Sequence, residues 1–250
     1  MINFKFINAG EEKDEETVTE MAMKVTKEEI LDNLYYIPMA KNDNRGNTAV
    51  EIGDIRFGYS MIKNLDENVE EVSEKPYADN GSRLILMIND DAMKKYGITE
   101  DELKKNVKGL DDYKIITLRD MIYGMYGIGQ PQGENEDLPY DLSGIREILV
   151  VFGKDGMSGA NVLMNDKVLN EIEERMGEGF YVLPSSIHEV LVVPKSCGMS
   201  ERELAQMVRE VNASQVAEKE QLSDSIFKYE NGNIEMCKEK SREKKGPSLD

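Results

Sequence analysis

Hydrophobic positions along the chain fall into two rhythms, and each predicts its own kind of element. Ser82–Ile88 (SRLILMI), Glu147–Phe152 (EILVVF), Phe180–Leu183 (FYVL) and Glu189–Val193 (EVLVV) are short apolar runs of strand length, bounded by turn residues. Runs 148–152 and 190–193 are apolar at successive positions, so they are expected to be central strands covered on both faces. The 3.6-residue rhythm appears in Thr117–Gly127 through Leu118, Met121, Ile122 and Met125. It recurs after Asn165 through Leu169, Ile172 and Met176, and after Ser200 through Leu204, Met207, Val208 and Val211. Helix starts are written in capping boxes at Thr26–Glu29, Thr99–Glu102 and Ser200–Glu203, where a hydroxyl and a glutamate satisfy each other's backbone donors.

In order, residues 33–62 read as strand, turn and strand, the turn lying at Asn42–Gly46 with Val50, Ile52 and Ile55 as core positions. An acid-rich helical piece is expected near Leu65–Val72. From residue 145 the order is β-β-α-β-β-α, with Ala160–Met164 as the second strand of the first unit. A last strand pair, Ile226–Tyr229 and Ile234–Met236, turns at Asn231-Gly232. Hairpins followed by helices predict an α+β fold. Its mainly antiparallel sheet carries helices packed on one face, with repeated β-β-α units in the C-terminal half. Residues 129–144 lie in GIGQPQGENEDLPYDLSG (127–144), which reads as a linker or long loop between an N-terminal α+β region (1–128) and a C-terminal domain (145–230). Residues 231–250 comprise a strand remnant and a disordered basic tail.

Charge narrows the possible classes. The net charge of −18 excludes a general nucleic-acid binder, since neutralising phosphate needs clustered Lys and Arg. An acidic mimic of nucleic acid stays open and requires the acids to line one continuous face. The clusters at 11–16, 66–74 and 134–137 read more simply as solvated loops or helix faces. No apolar run has membrane-spanning length, and the N-terminus lacks the basic start and oily centre of a signal peptide, so a cytoplasmic protein without membrane contact is expected. Cys197 and Cys237 have no metal-type spacing and are expected to be reduced thiols. No metal site and no cofactor are expected, because a lone histidine and two distant cysteines form none of the usual ligand patterns. The glycine clusters at 127–133 and 153–159 lack the strand-before, helix-after order of a phosphate cradle and read as a loop and a hairpin turn.

The focal point is FYVLPSSIHEVLVVP (180–194), which contains the chain's one histidine. A catalytic reading makes His188 a general base, Ser185 or Ser186 a nucleophile and Glu189 an orienting acid. Adjacent side chains leave a strand on opposite faces, so Glu189 is badly placed to hold its neighbour's ring. Serines in a tight turn bond their own backbone. A binding site is the better expectation: Ser185, Ser186, His188 and Glu189 form one wall, and Asn212, Ser223 and Asp224 form the second.

LPSSIHEVLVVP (183–194), SGANVLMNDKVLNEI (158–172), VREVNASQVAEKEQLSDSIFKYE (208–230) and LILMINDDAMKKYGITEDELKKN (84–106) resemble segments of a bacterial family, found mainly in Firmicutes, catalogued as domain of unknown function 5688. The resemblance runs from about Leu84 to Glu230 and implies the domain without implying an activity, cofactor or partner. The expectation is a non-enzymatic module that binds another protein or a small ligand through the Ser185–Glu189 turn. The alternative is a hydrolase or transferase using His188.

Overall fold

The computed structural model describes residues 4–7, 24–44, 46–64, 83–109, 113–126, 148–153, 159–177 and 179–238. The expected helix near 65–72, the 129–144 linker, the acidic 11–16 stretch and the tail beyond 238 lie outside the described residues. The strands are β1 (Phe4–Ile7), β2 (Leu34–Met39), β3 (Val50–Ile52), β4 (Ile55–Asn64), β5 (Arg83–Met87), β6 (Tyr113–Thr117), β7 (Leu149–Gly153), β8 (Phe180–Leu183), β9 (Glu189–Pro194), β10 (Phe227–Glu230) and β11 (Asn233–Met236). The α-helices are α1 (Lys27–Asp32), α2 (Asp90–Tyr96), α3 (Glu100–Asn106), α4 (Leu118–Tyr126), α5 (Asp166–Met176) and α6 (Glu201–Ser214). The fold is α+β and holds two antiparallel sheets. One has the order β1-β5-β4-β2, with β3 also paired to β4, and the other runs β11-β10-β8-β9-β7-β6.

Helices start where the local chemistry dictates. Thr26, Thr99 and Ser200 each complete a reciprocal capping box, and Asn89 and Asn165 cap α2 and α5 with their side chains. The Thr117 hydroxyl accepts the Asp120 amide at the start of α4. Asn231 and Gly232 turn the β10–β11 hairpin with φ of 52° and 78°, the left-handed pair a two-residue turn of this hand requires.

In the six-stranded sheet, alternation along β8 and β9 feeds two cores. Phe180, Val182, Val190 and Val192 join Leu149, Val151, Phe227 and α5 residues Val168, Leu169 and Ile172 on one face. Leu183 and Val193 join Ile148 and α6 residues Leu204, Ala205 and Val208 on the other. This is why β9 is apolar at successive positions, each buried side chain contributing roughly 1.5–3 kcal/mol. It also corrects the expected single helical face, since α5 and α6 sit on opposite faces. A third core lies on the five-stranded sheet under α1, α2 and α3, around Ile30, Tyr59, Met61, Leu86 and Leu103. Strand β4 serves two cores, giving Ile55 and Phe57 to the α5 side and Tyr59 and Met61 to the third.

Two further corrections are local. Residues Gly159–Met164, expected to end in a strand, form a 3₁₀ turn instead. Gly159 packs so tightly that a Cβ there would lie 1.8 Å from the His188 carbonyl oxygen, and the Asn161 amide donates to the Tyr36 carbonyl on β2. In α6, Met207 is 36% exposed while Asn212 is buried, so the buried stripe is Leu204, Ala205, Val208 and Asn212. Residues 113–117, which fall in the N-terminal region (1–128) read from sequence, form strand β6, hydrogen-bonded beside β7 in the six-stranded sheet.

Candidate functional site

Pro184 ends β8, and the chain reverses through residues 184–188 before β9 returns antiparallel, with Leu183 opposite Leu191. The turn has a pairing partner in a strap of irregular backbone, residues 217–224, that follows α6. Ser223 donates its amide to the Pro184 carbonyl, Leu222 to the Ser185 carbonyl, and Ile187 to the Glu220 carbonyl, at 3.2, 3.0 and 3.0 Å. Ser186 and Gln221 therefore face each other as the narrow, non-hydrogen-bonded pair of an antiparallel bridge. On its other side the turn rests on the 3₁₀ segment, where the Ala160 amide donates to the Ile187 carbonyl at 3.3 Å.

The serines do backbone work. Ser185 and Ser186 are buried, and the Ser186 hydroxyl accepts the amide of His188, two residues on, at 3.0 Å. Ser223, also buried, turns its hydroxyl to the two carboxylate oxygens of Asp54 at 2.8 and 2.9 Å and accepts the Ser225 amide. The buried Asn212 amide donates to the Ser223 carbonyl at 2.8 Å and to Asp224 at 2.7 Å. The second Asp224 oxygen takes the Lys41 ammonium at 2.9 Å. These two partners, Asn212 first, hold the Asp224 carboxyl below its usual range against the opposing effect of burial. Gln221 closes the helix exit by donating to the carbonyls of Asn212 and Val216.

The expected two walls thus meet, joined through main chain and buried amides. Ile187, His188, Glu189 and Glu220 are among the side chains left part-exposed at the junction, with Gln221 and Asp224 beside them. The imidazole, with its side chain 24% exposed, places Nε2 3.9 Å from a Glu220 carboxylate oxygen. Burial, and then the charge of Glu220, push the Glu189 carboxyl above its ordinary value. Two carboxylates and an imidazole therefore share a partly desolvated corner on a rigid frame.

Four participants escaped the sequence reading. Glu220 and Gln221 lie in KEQLSD (219–224), whose polar text gives no hint of strand pairing. Lys41 and Asp54 lie in N-terminal turns, and Asp54 reaches Ser223 across 169 residues of chain. The one local signal was Gly53-Asp54 between β3 and β4, with Gly53 at φ +61°, which marks a two-residue hairpin turn. Among the described residues no group of three or more His, Cys, Asp or Glu side chains is placed to hold a metal ion. No described helix is long and apolar enough to cross a membrane.

The turn, its strap and strands β6 to β10 fall within the stretch that defines a family. Residues 76–231 match the family of unknown function DUF5688, and the chain belongs to it. No curated protein and no solved structure matches the chain.

Proposed function

We propose that this is a non-enzymatic cytoplasmic protein that binds a partner through the corner formed by Ile187, His188, Glu189 and Glu220. Ser185, Ser186, Asn212, Ser223 and Asp224 hold that corner in shape. The observation that carries the reading is the division of labour within the turn. The Ser186 hydroxyl accepts the His188 amide and the Ile187 amide pairs with the strap, whereas the imidazole and two carboxylates stay part-exposed. A nucleophilic serine must be free to meet a base, and Ser186 is buried with its oxygen on the His188 amide. A rigid surface is also what binding favours, since little side-chain order is lost on association.

The chemistry of the corner favours a cationic group. Burial, and then the charge of Glu220, raise the cost of ionising Glu189, and an incoming guanidinium or ammonium relieves it. A partner protein or small ligand presenting arginine or lysine fits this description.

The lone histidine makes the test clean, because the His188 ring gives a single imidazole resonance. Titrating the protein with a short peptide carrying two arginines is expected to move that resonance saturably. Glu220→Gln should weaken the response, and a citrulline peptide should give little. An unmoved resonance at millimolar peptide, or equal responses to both peptides, contradicts the proposal. A second check uses Ser186→Ala and His188→Ala: if both lower Tm and peptide binding is unchanged, the corner is structural only.

A further inference from the structure

We infer that the 217–224 strap couples the five-stranded sheet to the 184–188 turn, with Asp54 and Arg56 as positioning residues that act on the turn through the strap. The inference concerns the free protein and stands whether or not the corner binds a partner.

The strap is bonded along both of its edges. Gln221 is extended, with φ −66° and ψ 126°, and extended backbone turns the polar groups of successive residues to opposite sides. On one side the Glu220 carbonyl accepts the Ile187 amide, and the Leu222 amide donates to the Ser185 carbonyl. On the other, the Gln221 carbonyl accepts the Lys41 amide at 2.8 Å. The strap therefore lies between the turn and residues 40–43 as a middle strand lies between its neighbours.

Side chains fix that second edge. Asp54, between β3 and β4, accepts the hydroxyls of Ser223 at 2.8 and 2.9 Å and of Ser225 at 3.0 Å. The Lys41 ammonium holds Asp224 at 2.9 Å, and the Asn42 amide donates to Glu218 at 3.1 Å. Residues 40–43 are gathered in turn by Arg56. The carbonyls of Ala40, Lys41 and Asp43 converge on one of its guanidinium nitrogens at 3.2, 3.1 and 2.7 Å. Arg56 stands on β4, opposite Met39 of β2 and Glu51 of β3, so the sheet carries the guanidinium. That group is always charged and only donates, which suits a cluster of carbonyls. Lys41, Asp54 and Arg56 all precede the matched stretch 76–231, so the turn inside that stretch is braced from outside it. Removing the Asp54 carboxylate takes that acceptor from the buried Ser223 hydroxyl, and removing the Arg56 guanidinium takes the shared donor from three carbonyls. Loss of hydrogen bonds to a charged group should favour local opening of the strap on the order of 10-fold.

Amide hydrogen exchange reads the coupling at Ile187, Leu222 and Ser223, whose donors cross between turn and strap. Reference amides are Ile88, bonded to the Tyr59 carbonyl in the five-stranded sheet, and Leu118, bonded to the Ile148 carbonyl beside the six-stranded sheet. In the full chain, Asp54→Ala and Arg56→Gln should each speed exchange at the three crossing amides on the order of 10-fold, with the reference amides changed less than about 2-fold. Asp54 is exposed at a turn, so Asp54→Ala decides alone if Arg56→Gln fails to fold. Unchanged rates at the crossing amides overturn the coupling, as does an equal rise at crossing and reference amides, which is general destabilisation. A rise confined to Leu222 and Ser223, with Ile187 unchanged, also overturns it, because the effect then stops at the strap.

Discussion

Substituting Gly159 by alanine adds one methyl group at the point where the 3₁₀ turn meets the 184–188 turn. An ideal Cβ there lies 1.8 Å from the His188 carbonyl oxygen, 2.7 Å from Phe152 Cα and 2.8 Å from the His188 carbonyl carbon. Ordinary contact begins at 3.4 Å, so the His188 peptide must retreat by about 1.6 Å, and all three obstructing atoms are backbone. That retreat strains three bonds: Ala160 N–H to Ile187 C=O at 3.3 Å, Ile187 N–H to Glu220 C=O at 3.0 Å, and His188 N–H to Ser186 Oγ at 3.0 Å. At about 1 kcal/mol each, with an overpacking cost of about 1–3 kcal/mol added, Gly159→Ala should destabilise the fold by roughly 4–6 kcal/mol. The assay is urea unfolding followed by circular dichroism, with the same substitution at Gly124 as control. Gly124 lies exposed in α4 with nothing within 4 Å of its added Cβ, so Gly124→Ala should stabilise by about 0.5–1 kcal/mol. If Gly159→Ala changes stability by less than about 0.5 kcal/mol, the packing of the 3₁₀ turn against the corner is wrong.

Three further outcomes test other parts of the structure. Asn212→Ala removes a buried amide that bonds the Ser223 carbonyl and Asp224, and should cost about 2–3 kcal/mol in urea unfolding. Glu102, hydrogen-bonded by the Lys27 ammonium and by the Thr99 cap, has its carboxyl held down at about 2, so this contact is complete above the ordinary value of 4.5 and is lost as pH falls through about 2. Carboxyl ¹³C shifts should show that midpoint, and Lys27→Met should raise it toward the usual range. Burial, then the charge of Glu201, pushes the Cys237 thiol up to about 11, so at pH 8.5 its alkylation by iodoacetamide, followed by mass spectrometry, should be on the order of 100-fold slower than that of a free cysteine.

What could be read in the sequence was whatever is decided within a few residues. The capping boxes at Thr26, Thr99 and Ser200 satisfy their own helix ends, and Asn231-Gly232 specifies its turn by backbone preference alone. The reversal at 184–187 was legible for the same reason: proline and serines stand between two apolar runs. The misreadings lie where distant chain decides. Ala160–Met164 is apolar enough for a strand, but Gly159 must sit under the His188 carbonyl and Asn161 must reach Tyr36, and a compact turn meets both demands. Met207 fits the helical rhythm as well as Val208 does. Asn212 is buried in its stead because the strap supplies partners for an amide. At the site, the residues named from sequence do come together. The reason they do is a strap of polar text that pairs like a strand, and only the partner's position in space reveals it.

The account depends on that pairing, and one measurement addresses it most directly. Across a narrow antiparallel pair the two α-hydrogens approach closely, so the nuclear Overhauser spectrum should contain a strong cross-peak between Ser186 Hα and Gln221 Hα. Its presence places the strap on the turn, beside the part-exposed His188, Glu189 and Glu220. Its absence from otherwise folded protein, with Ile187 and Leu222 amides exchanging at loop rates, contradicts the account at its root.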